Sequence, residues 1–260
     1  MQIVSETATE ATVLVTPAFK EMLADHRVFT REQDEACRWR DGEAIRFQKD
    51  CSIEPYVGIF AGHSLCSVGS FTYSHSFLPP SLKIGRYCSI AAGMETIGAQ
   101  HPTKTLSSSP FFYDRRMSPS VRAAAELGFD PTKERIPNVY KPAPVVGNDV
   151  WIGNKATINP GVEIMDGSVV ARQALVTRTL PAYSMIGGNP AKAFLPRFPA
   201  ELSNRLLASR WWRLSIGQLA DAPKADPEQF ADWYEATGLH LPDYAPQPLR
   251  LWDEVQRLAG

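Results

Sequence analysis

The chain has 260 residues, 44% of them hydrophobic and 21% charged, with a formal net charge of −1. Such a balance suits a folded globular protein and offers no long-range attraction to nucleic acid or an anionic membrane surface. No apolar run approaches the roughly 18 residues that span a bilayer, and the start MQIVSETATEATVLV has neither the basic nor the apolar region of a signal peptide, so a cytoplasmic protein with no membrane span is expected.

In chain order, residues 1–50 read as an N-terminal, partly helical segment, where Thr30-Arg31-Glu32-Gln33 has the spacing of a capping box before a short helix. Cys37, Cys51, Cys66 and Cys88 show no CxxC spacing and predict reduced thiols. Tyr73-Ser74-His75-Ser76-Phe77 alternates aromatic and hydroxyl residues as a half-buried strand does, and leaves open whether Tyr73 and His75 pack or bind. Ile84-Gly85-Arg86-Tyr87-Cys88-Ser89 and Ile90-Ala91-Ala92-Gly93 then introduce a six-residue frame, which Val68-Gly69 marks one coil earlier.

The frame returns without interruption at Val146, Ile152, Ile158, Ile164, Val170 and Val176, with mostly small residues (Val150, Ala156, Val162, Ser168, Ala174, Leu180) in the fifth place. A branched residue at every sixth position is neither a helical nor a sandwich-strand period. It fits short strands joined by corners, three hexapeptides to a coil, with Ile and Val stacked inside. The predicted fold is therefore mainly β, a left-handed parallel β-helix over 51–198 with flanking helices. Gly, Asn and Asp at the corners (Gly147, Asn148, Asp149, Gly153, Asn154, Asp166, Gly167) accept tight or left-handed geometry, where bulky residues would cost stability.

One insertion, 99–144, leaves the column. Loops of that length are commonly functional. It begins Gln100-His101-Pro102 and runs on to Ser109-Pro110-Phe111-Phe112-Tyr113. An imidazole there suits proton removal from an attacking hydroxyl or amine, the alternative being an ordinary surface histidine. His26, His63, His75, His101 and His240 do not pair at short spacing, so no metal site is expected. Gly187-Gly188-Asn189-Pro190-Ala191-Lys192 with Arg197 reads either as backbone amides and cations for phosphate or as a solvated loop leading into a helix. A helical region over 199–260 follows, with Leu202, Leu206 and Leu207 on one face and further helices near Pro227–Ala236 and Leu249–Leu258.

Together these pieces, with Val150-Trp151-Ile152-Gly153 and Arg210-Trp211-Trp212, resemble the hexapeptide-repeat acyltransferases, and within them the xenobiotic acetyltransferase branch of chloramphenicol, streptogramin and capsule or O-antigen sugar acetyltransferases. The resemblance implies an acetyl-CoA-dependent O- or N-acetyltransferase, a homotrimer with clefts between neighbouring columns, and His101 as general base. It places Trp151, Asn154, Ala171 and Thr177 on the cosubstrate side and Pro190 and Lys192 near adenine and phosphates, with Arg197 as the second candidate cation for phosphate. Tyr73, His75, Phe77 and Phe111 fall on the acceptor side. A short Leu78-Pro79-Pro80 connection and the long N- and C-terminal segments point to a sugar or saccharide acceptor. The alternatives are a drug O-acetyltransferase and, in another class, a non-catalytic β-helix scaffold.

Overall fold

The computed structural model describes residues 2–98, 101–114, 116–130 and 141–259. It falls into two compact units, one formed by Ile97–Pro142 and the other by the rest of the chain. Ala99 and Gln100, at the expected start of the insertion, lie outside the described residues, as do 131–140.

In the larger unit, strands of two residues pair in parallel with a return distance of 18 residues: Val145–Val146 with Glu163–Ile164, Trp151–Ile152 with Val169–Val170, and Thr157–Ile158 with Leu175–Val176. These pairs belong to three different sheets, so the chain visits each before coming back beside itself. Every frame residue from Val146 to Val176 is buried, as is every fifth-place residue from Val150 to Leu180. Two columns thus fill the interior. No single large residue dominates this core; each fully buried Ile or Val contributes about 1.5–3 kcal/mol.

Parallel pairing reaches further towards the N-terminus than the repeat. Val28–Phe29 pairs with Val57–Gly58, and Ala44–Gln48 runs parallel to Ser64–Leu65 while pairing antiparallel with Glu10–Leu14. The N-terminal segment is therefore largely a β-ribbon. Its helix, α1 (Pro17–Asp25), is capped by the Thr16 hydroxyl, which accepts from Phe19 N at 3.2 Å, and buries Phe19, Met22 and Leu23. The helix expected after Thr30 does not form. Thr30 is buried and its hydroxyl accepts from Arg38 N at 2.9 Å, which closes a loop where a capping box would have opened a helix. Arg38 stacks on Trp39, and both side chains donate to the Gly62 carbonyl.

The corners correct a second expectation. One column of corner residues, Tyr56, Phe71, Tyr87, Asp149, Gly167 and Tyr183, has φ between 49° and 70°, and four of the six are aromatic. Each left-handed non-glycine residue costs about 1–2 kcal/mol. Here the rings offset that cost by packing on one another: Tyr56 lies parallel to Phe71 at 5.9 Å, and Phe71 meets Tyr87 at 4.9 Å. At Gly167 a Cβ would come within 2.6 Å of the Tyr183 ring, so glycine there lets the next aromatic corner settle on bare backbone. Beside this column runs a polar one, in which Asn148 Oδ1 accepts from Arg86 N at 2.9 Å and Asp166 Oδ1 accepts from Asn148 N at 2.6 Å.

Ser184–Gly188 still pairs in parallel with Val169–Val170, and with Ala191–Pro196 it forms an antiparallel hairpin. Two helices, Ala200–Ser209 and Pro227–Ala236, build a second core with Tyr183, Leu202, Leu206, Leu214 and Phe230. A last helix, Leu251–Ala259, follows Leu249–Arg250, which pairs antiparallel with Ser52–Ile53. Leu207 is only partly buried at this second core. Among the described residues no helix is long and apolar enough to cross a membrane.

In the smaller unit, Pro110–Phe112 forms a single tight turn and a further helix spans Ser118–Leu127. Ser109 accepts from Phe111 N at 3.4 Å, Pro110 supplies the first turn position, and the buried Ser120 hydroxyl donates to the Phe111 carbonyl at 3.3 Å.

Candidate active site

His101 and Tyr113 meet within the smaller unit. The turn at Pro110–Phe112 places Tyr113 just past its end, and the Tyr113 oxygen lies 2.7 Å from His101 Nδ1. Tyr113 Oη also lies 3.5 Å from the Ser108 carbonyl. If the phenol donates to that carbonyl, it accepts from Nδ1–H, and the tautomer follows: Nε2 then carries the free lone pair. Nε2 has no hydrogen-bond partner among the described residues, and the side chain is exposed. An imidazole held on one nitrogen and open on the other has the arrangement of a general base. Phe111, in the same turn, is also exposed.

In the larger unit a cleft of about 620 Å³ runs along one sheet, lined by Trp151, Gly153, Asn154, Ala171 and Arg172 among others. Trp151 is 55% exposed and presents its indole to this cleft. Asn154 donates to the Ala92 carbonyl at 2.6 Å, which bridges two coils beneath the cleft. Trp151, Asn154 and Ala171 are thus brought together. Arg172 was not found from the sequence, although it stands one 18-residue coil after Asn154. It forms no ion pair among the described residues, so its charge is available.

Four other expected cosubstrate residues stand elsewhere. Thr177 is exposed and follows a strand of a different sheet, while Pro190 and Lys192 lie exposed in the turn and second strand of the C-terminal hairpin. Arg197 is committed to other partners: its Nη1 is 2.8 Å from Asp149 and donates to the Gly167 carbonyl at 3.0 Å, and its guanidinium lies over Phe198 and Tyr183. Burial raises the Asp149 carboxyl above its usual range, against the opposing pull of Arg197. These two residues line a separate cavity of about 760 Å³ beside Trp211 and Phe230.

Of the residues expected on the acceptor side, Tyr73 and His75 are brought together, beside Phe60. The His75 ring lies 5.1 Å from Phe60 and 5.7 Å, edge-on, from Tyr73. His75 Nε2 is 3.8 Å from a Glu32 carboxylate oxygen. Phe77 is half-exposed and covers Gly62, where its ring would meet any added Cβ.

Cysteine chemistry is poorly supported. Burial pushes the Cys66 and Cys88 thiols up to about 12, and Cys51 is raised as well, so these three stay protonated near neutral pH. Among the described residues no group of three His, Cys, Asp or Glu side chains could hold a metal ion.

The bacterial transferase hexapeptide family, six repeats, matches residues 143–178. A chloramphenicol acetyltransferase of Agrobacterium fabrum is 37% identical over 166 residues, covering 60% of this chain and 71% of its own. A probable macrolide acetyltransferase of Lysinibacillus sphaericus is 35% identical over 151 residues, covering 57% of this chain and 78% of its own. A hexapeptide-repeat acetyltransferase of Vibrio cholerae, solved in complex with acetyl coenzyme A, is 23% identical over 55% of this chain and 62% of its own, with a TM-score of 0.32. That last likeness carries no weight in the assignment, which the sequence relatives make. With more than two thirds of those relatives aligned and the six-residue frame buried from end to end, the chain belongs to the hexapeptide-repeat acyltransferases, in their xenobiotic acetyltransferase branch, and is an acyltransferase.

Proposed function

We propose that this enzyme transfers an acetyl group from acetyl-CoA to a hydroxyl of a saccharide acceptor, free or carried as a glycoside, with His101 as general base. The observation that carries the reading is the His101–Tyr113 contact at 2.7 Å, which orients the ring and leaves Nε2 for the acceptor. Nε2 takes the hydroxyl proton as the oxygen bonds to the thioester carbonyl carbon. The carbon–sulfur bond then breaks, and the sulfur leaves with the proton from Nε2, giving an acetyl ester and free CoA thiol. No acyl-enzyme is needed, which agrees with three thiols held protonated by burial.

The cosubstrate fits the cleft at Trp151 and Asn154, with Arg172 supplying a cation for phosphate and Lys192 a second on the hairpin. The column is read as a left-handed parallel β-helix over 51–198, with 99–144 as the base-bearing insertion and 1–50 and 199–260 as flanking regions. Three chains are read as forming a homotrimer that covers the exposed Trp151 face; light scattering at the mass of one chain would count against it. Free, mostly buried thiols suit a reducing cytoplasm.

A second reading, acetylation of a chloramphenicol-type drug, is favoured by the names of the two relatives. Thiol release from acetyl-CoA with nucleotide sugars, oligosaccharides, chloramphenicol and streptogramins separates the two, since turnover confined to the drugs selects the second. His101→Ala is expected to lower kcat at least roughly 100-fold while acetyl-CoA still binds. Near-normal turnover in that variant removes the base assignment, and failure of the wild type to bind CoA at all returns the protein to the scaffold class.

A further inference from the structure

A groove of about 490 Å³ lies on the larger unit between the loop after Val28–Phe29 and the aromatic corner of the first coils. Its floor is made of the rings of Tyr56, Phe60, Phe71 and Tyr73, and its wall is the run Arg31 to Glu35. Tyr56 and Tyr73 are 47% and 42% exposed, so ring faces and edges are open to a ligand. The wall is preformed: the Thr30–Arg38 bond closes the loop, Asp34 Oδ1 accepts from Ala36 N at 2.9 Å, and the Arg38 and Trp39 side chains pin its far end to Gly62.

Charge decides what such a groove takes. Arg31 is 3.6 Å from Asp34, which balances that pair. Arg27 lies over the Tyr56 ring at 5.8 Å and occupies one approach to it. Among the described residues Glu32 makes one ion-pair contact, with His75 at 3.8 Å, and Glu35 forms none. Aromatic faces beside the Glu32 and Glu35 carboxylates attract a cation, through the ring quadrupoles and through direct charge. A neutral ligand gains only the stacking.

We propose that this groove holds an ammonium group of the acceptor, between the aromatic floor and the Glu32 and Glu35 carboxylates, so that the enzyme selects acceptors that carry a protonated or quaternary amine beside the hydroxyl. The inference rests on the reading that Tyr73 and His75 mark the acceptor side.

The test is binding by the full chain without acetyl-CoA, so that it does not depend on turnover. Choline is titrated by calorimetry against 3,3-dimethylbutan-1-ol, which has the same shape and hydroxyl but no charge. Choline is expected to bind saturably and about tenfold tighter, as cation–aromatic and carboxylate contacts together allow. Glu32→Gln and Glu35→Gln, both at the exposed rim, are each expected to weaken choline several-fold and leave the neutral alcohol and acetyl-CoA unchanged. No saturable choline binding, equal binding of the two alcohols, or choline binding untouched by both substitutions overturns the proposal. Loss of activity in His101→Ala alongside any of these results would leave the base assignment standing and remove the groove alone.

Discussion

A histidine is only as useful as the hydrogen bond on its other nitrogen, and here that bond comes from Tyr113, twelve positions along the chain. The sequence marks His101 and the aromatic end of its loop, but the pairing depends on the turn at Pro110–Phe112, whose single turn has no periodicity to read. Tyr113→Phe removes the partner of Nδ1 and keeps the ring. A neutral hydrogen bond is worth about 1 kcal/mol net, so kcat is expected to fall about fivefold, with KM for acetyl-CoA unchanged. An unchanged kcat would mean that the loop holds the imidazole without the phenol. Arg172 was illegible for a different reason: an exposed cation in a repeat looks like any solvated residue until the 18-residue return sets it beside Asn154 in one cleft.

Among the elements, the six-residue frame was readable because inward-facing positions demand one chemistry: Val146 through Val176 are buried without exception. Corners obey a looser rule. Left-handed geometry favours glycine, asparagine and aspartate, yet Tyr56, Phe71, Tyr87 and Tyr183 adopt it. What a single corner pays in strain its ring recovers by packing on the corner above, and no local rule anticipates a neighbour one coil away. Gly167→Ala tests the scheme, since it adds a Cβ both at φ 70° and against the Tyr183 ring. It is expected to destabilise the fold by about 2 kcal/mol in urea unfolding. A change below roughly 0.5 kcal/mol, the scatter of ordinary surface substitutions, would show that the ring is free to move aside. The capping-box spacing at Thr30 failed for a related reason: a buried hydroxyl took its hydrogen bond from Arg38, eight residues on.

At the scale of the larger unit, the C-terminal region is tied to the early coils through Arg86. Its Nε and Nη2 each meet one Glu54 oxygen at 2.6 Å, Nη1 reaches the Arg213 carbonyl at 3.4 Å, and the guanidinium lies over Tyr244. Burial alone would raise the Glu54 carboxyl, but the Arg86 and Ser70 donors outweigh it and hold it below the usual range. The folded state therefore binds fewer protons than the unfolded one in the acid region, and stability rises with pH there. The contribution is fully present above the unfolded carboxyl value of about 4.3 and is lost as pH falls through the lower, folded value. Glu54→Gln is expected to cost about 2 kcal/mol at neutral pH, as for a charge-assisted hydrogen bond, and to flatten the acid limb of the Tm profile. An unaltered acid limb would assign it to other carboxylates.

The insertion leaves the coil after Glu95–Thr96 and rejoins it at Val145–Val146, each still in parallel register with its neighbours. Such an interruption falls at a corner, where no ladder hydrogen bond spans the break. A corner is therefore a natural splice junction: loops of quite different length and chemistry can be exchanged there while the stack of coils keeps its alignment. That arrangement lets the stack be kept while the segment between Thr96 and Val145 changes. It also makes the junction the first place to graft a foreign loop.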